Sequence, residues 1–252
     1  VGDFVEISGP AFVTQSGQQS IQVVGWRMLT KSLLPIPDSW YGLKDEDERL
    51  RKRYLDILLS EELQDLFKKK SLFWRTARRF FEDKGFLEVE TPTLEITTGG
   101  AEARPFATHH NDFDIDVFLR ISVGELWQKR LMTAGFQKTF EIGRVYRNEG
   151  SSTEHVQEFT NLECYVAFMN TDEGKRMVQE LYTTLAETVF GKTEFTTRGH
   201  TFDLKSKWKE IDYVEEVKKH TGVDVLESSE QEMEDVLKKL GVKFDGKNRE
   251  RM

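Results

Sequence analysis

Arg147, Glu149, His155, Phe159, Glu163 and Tyr165 crowd into one short stretch, FEIGRVYRNEGSSTEHVQEFTNLECYVAF, from Phe140 to Phe168. They offer a guanidinium that grips phosphate or carboxylate oxygens through paired bonds, and a ring with a face for stacking. A further carboxylate, an imidazole, and a carboxylate beside a phenol complete the set. Side chains of these types suit a polar pocket that holds a charged ligand.

The stretch itself predicts how they are held. Phe140 to Tyr146 is rich in β-branched and aromatic residues and reads as a strand. Asn148-Glu-Gly-Ser-Ser-Thr153 is polar and small, the composition of a loop. From Phe159 to Phe168 the pattern is strand-like again. A period of two puts Asn161, Glu163, Tyr165 and Ala167 on one face and Leu162, Cys164 and Val166 on the other. The second strand then has an apolar back and floors a polar pocket, with Arg147, Glu149 and His155 supplied from the loop opposite. Taken without its surroundings, the same hairpin could carry Arg147 and Glu163 as a surface ion pair worth little.

Tyr146-Arg-Asn-Glu-Gly150, His155, Glu158-Phe-Thr160 and Leu162-Glu-Cys-Tyr165 resemble motif 2 of the class II aminoacyl-tRNA synthetases, in its lysyl form. Arg-x-Glu alone is a weak signal. The same residues joined by this loop to Phe-Thr-x-Leu-Glu-x-Tyr are a strong one, and the resemblance continues on both sides.

Composition sets the frame. The chain has 252 residues, 38% hydrophobic and 32% charged, enough for one sizeable core and a smaller module. No apolar run has the length of a spanning helix, and no basic region followed by an apolar core opens the chain. A net charge of −8 argues against a generally basic, nucleic-acid-coating surface. Lys68-Lys-Lys70 with Arg75, Arg78 and Arg79 reads as a solvated helix face. The single cysteine, Cys164, falls on an apolar strand face, where a buried thiol is expected and no disulfide framework can form. That usage suits a cytoplasmic protein. The chain opens at Val1 inside a strand-like pattern and stops at Arg249-Glu-Arg-Met252 without a closing element, so it reads as part of a longer protein.

In chain order, Phe4–Ile7 and Ile21–Val24 are strand candidates around the turn-rich Thr14–Gly17. Leu33-Leu-Pro-Ile-Pro37 is a stiff joint, followed by the charged stretch Asp45 to Arg53. Ser60 caps a helix carrying Leu63, Leu66, Phe67, Trp74, Ala77, Phe80 and Phe81, closed by Gly85. Phe86–Thr91 alternates as a strand that Pro92 stops. Thr97–Phe106 is a loop. His109 and His110 are adjacent, point apart on an extended chain and make a poor metal pair. Phe118–Ile121 is a strand feeding a helix start at Ser122 to Leu131. Asn170 or Thr171 caps a helix with Val178, Leu181, Tyr182, Leu185 and Val189 on one stripe, ended by Gly191. A hairpin around Gly199, from Glu194-Phe195 to Phe202-Asp-Leu204, precedes capping-box patterns at Asp212/Glu215 and Ser229/Glu232.

The resemblance implies an α+β protein: a class II catalytic domain, an antiparallel sheet flanked by helices, preceded by a remnant of an OB-fold β-barrel. It divides the chain into residues 1–31, the last strands of the anticodon-binding barrel; 32–58, a linker; and 59–252, the catalytic domain, truncated before motif 3. The helix, strand and Pro92 resemble motif 1, which implies a homodimer. By carry-over Arg147 is catalytic. Arg147, Glu149, His155 and Phe159 bind ATP, and Gly100, Glu125, Glu163 and Tyr165 bind lysine. At the Glu125 junction Ser122-Val-Gly replaces an Ala-Pro pair, one residue longer. The implied activity is lysine–tRNA ligation: lysine attacks the α-phosphorus of ATP, and the lysyl group then passes to the terminal ribose of tRNA(Lys). ATP is a substrate; ligands for Mg2+ are expected in the missing C-terminal part, so no metal ligand is assigned here. The fragment alone is expected to be inactive. The alternatives are a non-catalytic, dimerising regulatory module and the paralogue that attaches a lysyl group to a translation factor.

Overall fold

The computed structural model describes residues 2–34, 36 and 43–242. The chain divides into two units, residues 1–192 and 193–252.

The first unit opens with β1 (Phe4–Ser8), β2 (Ala11–Val13), β3 (Gln19–Ile21) and β4 (Gly25–Thr30). They form two separate antiparallel ladders, β1 with β4 and β2 with β3. The expected turn lies at the β2–β3 tip, where the Gly17 amide donates to the Thr14 carbonyl at 2.9 Å. The strand expected over Ile21–Val24 is corrected: β3 ends at Ile21. The Gln22 and Val24 amides reach back singly to the Pro10 and Ser8 carbonyls as the chain crosses from one ladder to the other. Phe4, Val5, Ile7 and Trp26 stay exposed, as two-stranded ladders enclose no core. Pro35 and Pro37 of the expected joint lie outside the described residues.

The charged stretch proves helical. α1 (Glu46–Arg51) is capped by the Asp45 side chain, and α2 (Arg53–Leu59) follows after Lys52. Three acids in the first turn of α1 favour its helix dipole, and Asp47–Arg51 and Glu48–Lys52 pair one turn apart. α3 (Glu61–Asp83) is capped by Ser60, as expected. Ala77, Phe80 and Phe81 bury its C-terminal half, whereas Leu66 and Phe67 of the expected stripe are exposed. The basic run lies on the solvated side: Lys68 to Lys70 are exposed, and Arg78 forks onto Glu88 at 2.8 and 3.0 Å.

β5 (Leu87–Glu88) is shorter than the strand expected over Phe86–Thr91, because beyond Val89 the chain turns and Thr91 bonds inward instead. β6 (Leu94–Glu95), β7 (Ala107–His110) and β8 (Ile115–Leu119) make an antiparallel sheet in the order β6–β8–β7. His109 pairs with Asp116 at 3.0 Å, and the Phe113 amide donates to His110 Nδ1 at 3.4 Å, so the imidazoles serve separate local contacts. α4 (Glu125–Thr133) leads to the central hairpin, β9 (Lys138–Tyr146) and β10 (Glu158–Val166). Its sheet, β10–β9–β5, is mixed rather than wholly antiparallel, because β5 runs parallel to β9. β10 stops at Val166; Phe168 takes a positive φ of 63° and is exposed, outside the strand expected to include it.

The core lies behind this hairpin. Phe80, Phe81, Phe86 and Phe140 form a buried cluster against which Leu162, Cys164 and Val166, the expected apolar back of β10, are packed. Phe81 stacks on Phe140 at 5.1 Å and meets Phe86 edge-on at 5.2 Å, as aromatic pairs prefer. α5 (Thr171–Phe190) starts at a reciprocal capping box of Asn170 and Glu173. It faces the core with Met177, Leu181 and Leu185 rather than with Val178 and Tyr182, which are exposed.

In the second unit β11 (Glu194–Thr197) and β12 (His200–Asp203) form the expected hairpin, turning through Arg198 and Gly199 at positive φ. α6 (Tyr213–Thr221) is capped by Asp212, and α7 (Glu230–Leu240) by a Ser229/Glu232 box. Arg249 to Met252 lie outside the described residues. No helix among the described residues is long and apolar enough to cross a membrane.

Candidate functional site

Register settles which residues share the front of the hairpin. Glu163 stands opposite Glu141, Asn161 opposite Gly143, Phe159 opposite Val145 and Tyr165 opposite Thr139. The front therefore carries Glu163, Tyr165 and Phe159, as the alternation predicts, together with Glu141, which the sequence reading did not single out.

The segment between β8 and α4 closes over this face. The Val123 amide donates to Glu163 Oε1 at 2.9 Å, and Asn161 Nδ2 donates to the same oxygen at 3.0 Å. Burial raises the Glu163 carboxyl above its ordinary value; the Val123 bond opposes this, the Glu125 charge adds to it, and Arg147 lowers it. Tyr165 behaves likewise: burial first, then Glu125 and Glu163, push its phenol up to about 12. Glu163 and Tyr165 thus both feel the charge of Glu125, and no cation of the protein neutralises Glu163 through a direct ion pair among the described residues.

The longer Ser122-Val-Gly turn is accommodated by Gly124. It caps α4 at φ 61°, and a side chain there would overlap the Thr91 hydroxyl. Glu125 then begins α4, where an acid favours the helix dipole, and accepts from Lys129 Nζ at 2.5 Å. Gly100 packs against this corner: at φ 89°, its missing Cβ would overlap Ser122 Oγ and Glu125 Oε2. Ser122 Oγ in turn donates to the Gly99 carbonyl at 2.7 Å. Four of the sequence-predicted residues, Gly100, Glu125, Glu163 and Tyr165, are therefore brought together.

Arg147 occupies the end of the hairpin. Its Nε donates to the Ile121 carbonyl at 3.3 Å, and its guanidinium lies 5.3 Å from the centre of the Phe159 ring. The alternative in which Arg147 simply pairs with Glu163 does not hold, since each has these other partners. Glu149 accepts from the Arg104 amide at 3.2 Å, and the Asn148 amide donates to the Arg104 carbonyl at 2.7 Å. These bonds tie the Thr97–Phe106 loop to the loop between β9 and β10. His155 Nδ1 shares a hydrogen bond of 2.8 Å with Ser152 of its own loop.

On the same front face, further along β9 and buried, lie residues that the sequence reading missed. Arg120 and Glu141 form a buried ion pair at 2.5 Å, and Thr91 bonds Glu141 through its hydroxyl at 2.6 Å. The available signal was a charge inside each apolar run, Leu119-Arg-Ile121 and Phe140-Glu-Ile142. Among the described residues no group of three His, Cys, Asp or Glu side chains is placed to hold a metal ion.

The model of the class II tRNA synthetases (D, K and N) matches residues 45–246, and the chain belongs to that family. It is 44% identical over 244 residues to a protein named Lysine--tRNA ligase from Roseiflexus castenholzii, covering 96% of this chain and 50% of that protein. Proteins of the same name from Halalkalibacterium halodurans and Listeria monocytogenes are 43% and 42% identical, each over 96% of this chain and 48% and 49% of their own length. The chain spans about half the length of the curated relatives it matches.

Proposed function

We propose that this chain is an incomplete part of a lysine–tRNA ligase, inactive alone, that contributes lysine- and ATP-binding groups to adenylate formation. The observation that carries the reading is the half-buried Glu163, held by the Val123 amide and raised by burial and by Glu125, beside a phenol that burial and both carboxylates push up. An anionic floor of this kind is costly to leave unpaired and is relieved by a cation. Lysine brings two: its α-ammonium to Glu163 and Glu125, and its ε-ammonium toward Tyr165. Gly100 supplies a backbone contact to the amino acid.

The other end of lysine is an anion, and it must approach a phosphate despite repulsion. Arg147 is the group for that step, since a planar fork can hold a carboxylate oxygen and a phosphate oxygen together as the in-line transition state forms. Phe159 stacks on adenine, and Glu149 and His155 hold the rest of ATP. The attacking carboxylate oxygen bonds to the α-phosphorus as pyrophosphate leaves. The lysyl group then passes to the terminal ribose of tRNA(Lys). Residues 1–31 are taken as the end of an OB-fold barrel and 32–58 as a linker; the α3–Pro92 element, with Leu66 and Phe67 exposed, is taken as the homodimer face. Magnesium acts with ligands outside this set, and the protein works in the cytoplasm.

The test is ATP–pyrophosphate exchange by the full-length protein. It should depend on lysine and not on ornithine or norleucine, and Glu163→Gln should raise the KM for lysine far more than that for ATP. Lysine-independent exchange, or an unchanged lysine KM in that variant, would overturn the assignment and return the chain to the class of binding modules.

A further inference from the structure

The Arg120–Glu141 pair has no part in the function proposed above, yet Glu141 stands directly opposite Glu163 on the same face of the hairpin. Arg120 and Glu141 are both buried, each only 4% exposed. Arg120 Nη1 donates to Glu141 Oε1 at 2.5 Å and to the carbonyl and hydroxyl of Thr91 at 3.2 Å each. Arg120 Nε donates to the Arg144 carbonyl at 2.8 Å. The second Glu141 oxygen accepts from the Thr91 hydroxyl at 2.6 Å and the Thr91 amide at 3.2 Å. Gly143 leaves the room this needs, since a Cβ there would overlap Arg120 Nη2. Ion pairs buried this deeply are often no more stabilising than apolar residues of the same volume. Stability alone is therefore a weak reason for placing one here.

Position is a stronger reason. The Arg120 carbonyl accepts from the Tyr146 amide at 2.9 Å, one residue before Arg147. The next carbonyl, Ile121, receives Arg147 Nε. Two residues further on, the Val123 amide holds Glu163. One short run of backbone thus aims both the arginine assigned to ATP and the carboxylate assigned to lysine. The Arg120 fork fixes that run to β9, and Glu141, opposite Glu163 in the register, fixes the fork.

We propose that Arg120 and Glu141 are positioning residues that set the aims of Arg147 and Glu163 together, so that the lysine carboxylate and the α-phosphate meet in register. The proposal rests on the function proposed above. Neither residue touches substrate; both act through the Arg120–Val123 backbone.

The experiment uses the full-length protein and the double variant Arg120→Met/Glu141→Leu, in which no orphan charge remains and the fold is expected to persist. Its Tm should stay near that of the parent. Its kcat for pyrophosphate exchange should fall on the order of ten- to a hundredfold, the scale of a small misplacement of reacting groups. Its lysine KM should rise with it. Parent-like kinetics in a folded double variant would overturn the proposal. Should the double variant fail to fold, Arg120→Lys serves: it keeps the charge and loses one arm of the fork, and a parent-like kcat and lysine KM would again overturn it. Amide hydrogen exchange adds a readout free of catalysis. The Val123 and Tyr146 amides should exchange faster at unchanged Tm, and unchanged protection refutes the positioning. A parent protein without lysine-dependent exchange, but with the loosened amides in the double variant, would instead count against the functional reading alone.

Discussion

Replacing Arg147 by lysine keeps the positive charge and removes the planar fork, and the structure shows what that fork is engaged in. Its Nε donates to the Ile121 carbonyl at 3.3 Å, and its guanidinium carbon lies 5.3 Å from the Phe159 ring centre. Both terminal nitrogens are then left for a ligand. One ammonium cannot keep Ile121 and Phe159 and also serve two ligand oxygens. The variant should lose one charge-assisted hydrogen bond, about 1.5–3 kcal/mol, and a cation–ring contact of about 0.5–1 kcal/mol. Together these make about 2–4 kcal/mol, a rate loss on the order of 30- to 1000-fold. The loss should fall on kcat, because the charge shared between carboxylate and phosphate is greatest in the transition state. Steady-state pyrophosphate exchange at saturating ATP and varied lysine, on the full-length Arg147→Lys protein, measures it. A kcat within a few-fold of the parent would refute the bridging role and leave Arg147 as an anchor for Ile121 and Phe159.

Gly100→Ala should lower Tm and raise the lysine KM, because its Cβ would overlap Ser122 Oγ and Glu125 Oε2 and its φ of 89° costs a side chain about 1–2 kcal/mol by itself; an unchanged Tm refutes this. Glu163 has a raised carboxyl in the folded state, so its contribution to stability is full below the ordinary value of 4.5 and is lost as pH rises through the raised value. Glu163→Gln escapes that loss, so thermal unfolding should show the variant gaining on the parent from acid toward neutral pH; a pH-independent difference refutes it. Burial pushes the Cys164 thiol up to about 11, so a thiol reagent at neutral pH should label the chain slowly and become fast only in denaturant. Rapid labelling of the native chain would show the back of β10 to be open.

Much of the site was legible because strand alternation is a strict geometric rule. Leu162, Cys164 and Val166 had to point away from Glu163 and Tyr165, and they meet the phenylalanine core. Caps at Ser60, Asn170, Asp212 and Ser229 were legible for the same kind of reason: a short polar side chain satisfies an amide that the helix leaves open. The α1 helix was written in the same terms, Asp45 before three acids, but lacks an apolar stripe, and periodicity alone passed over it. Strand ends were less legible. Whether Thr91 continues β5 or turns to Glu141 depends on a residue fifty positions away, and no local pattern encodes that. Arg120 and Glu141 were hidden likewise, since each looks like a stray charge until the topology brings them together.

The arrangement of charge, finally, bears on why the site is built from backbone as much as from side chains. Glu163 is fixed by an amide and a carboxamide, Glu149 by an amide, and Arg147 by a carbonyl. None of these partners carries a charge, so each holds its residue in place without neutralising it. Had Arg147 and Glu163 been paired with each other, each would need to break an ion pair before meeting substrate. The Arg120–Glu141 pair beside them is complete, and what it fixes is backbone. A paired Arg120–Glu141 beside the separately held Glu163 and Arg147 keeps these two charges apart: the carboxylate for an ammonium end of lysine, the guanidinium for its carboxylate and for phosphate. On the proposed function, this separation orients the amino acid before ATP arrives, because only one direction of lysine satisfies both ends.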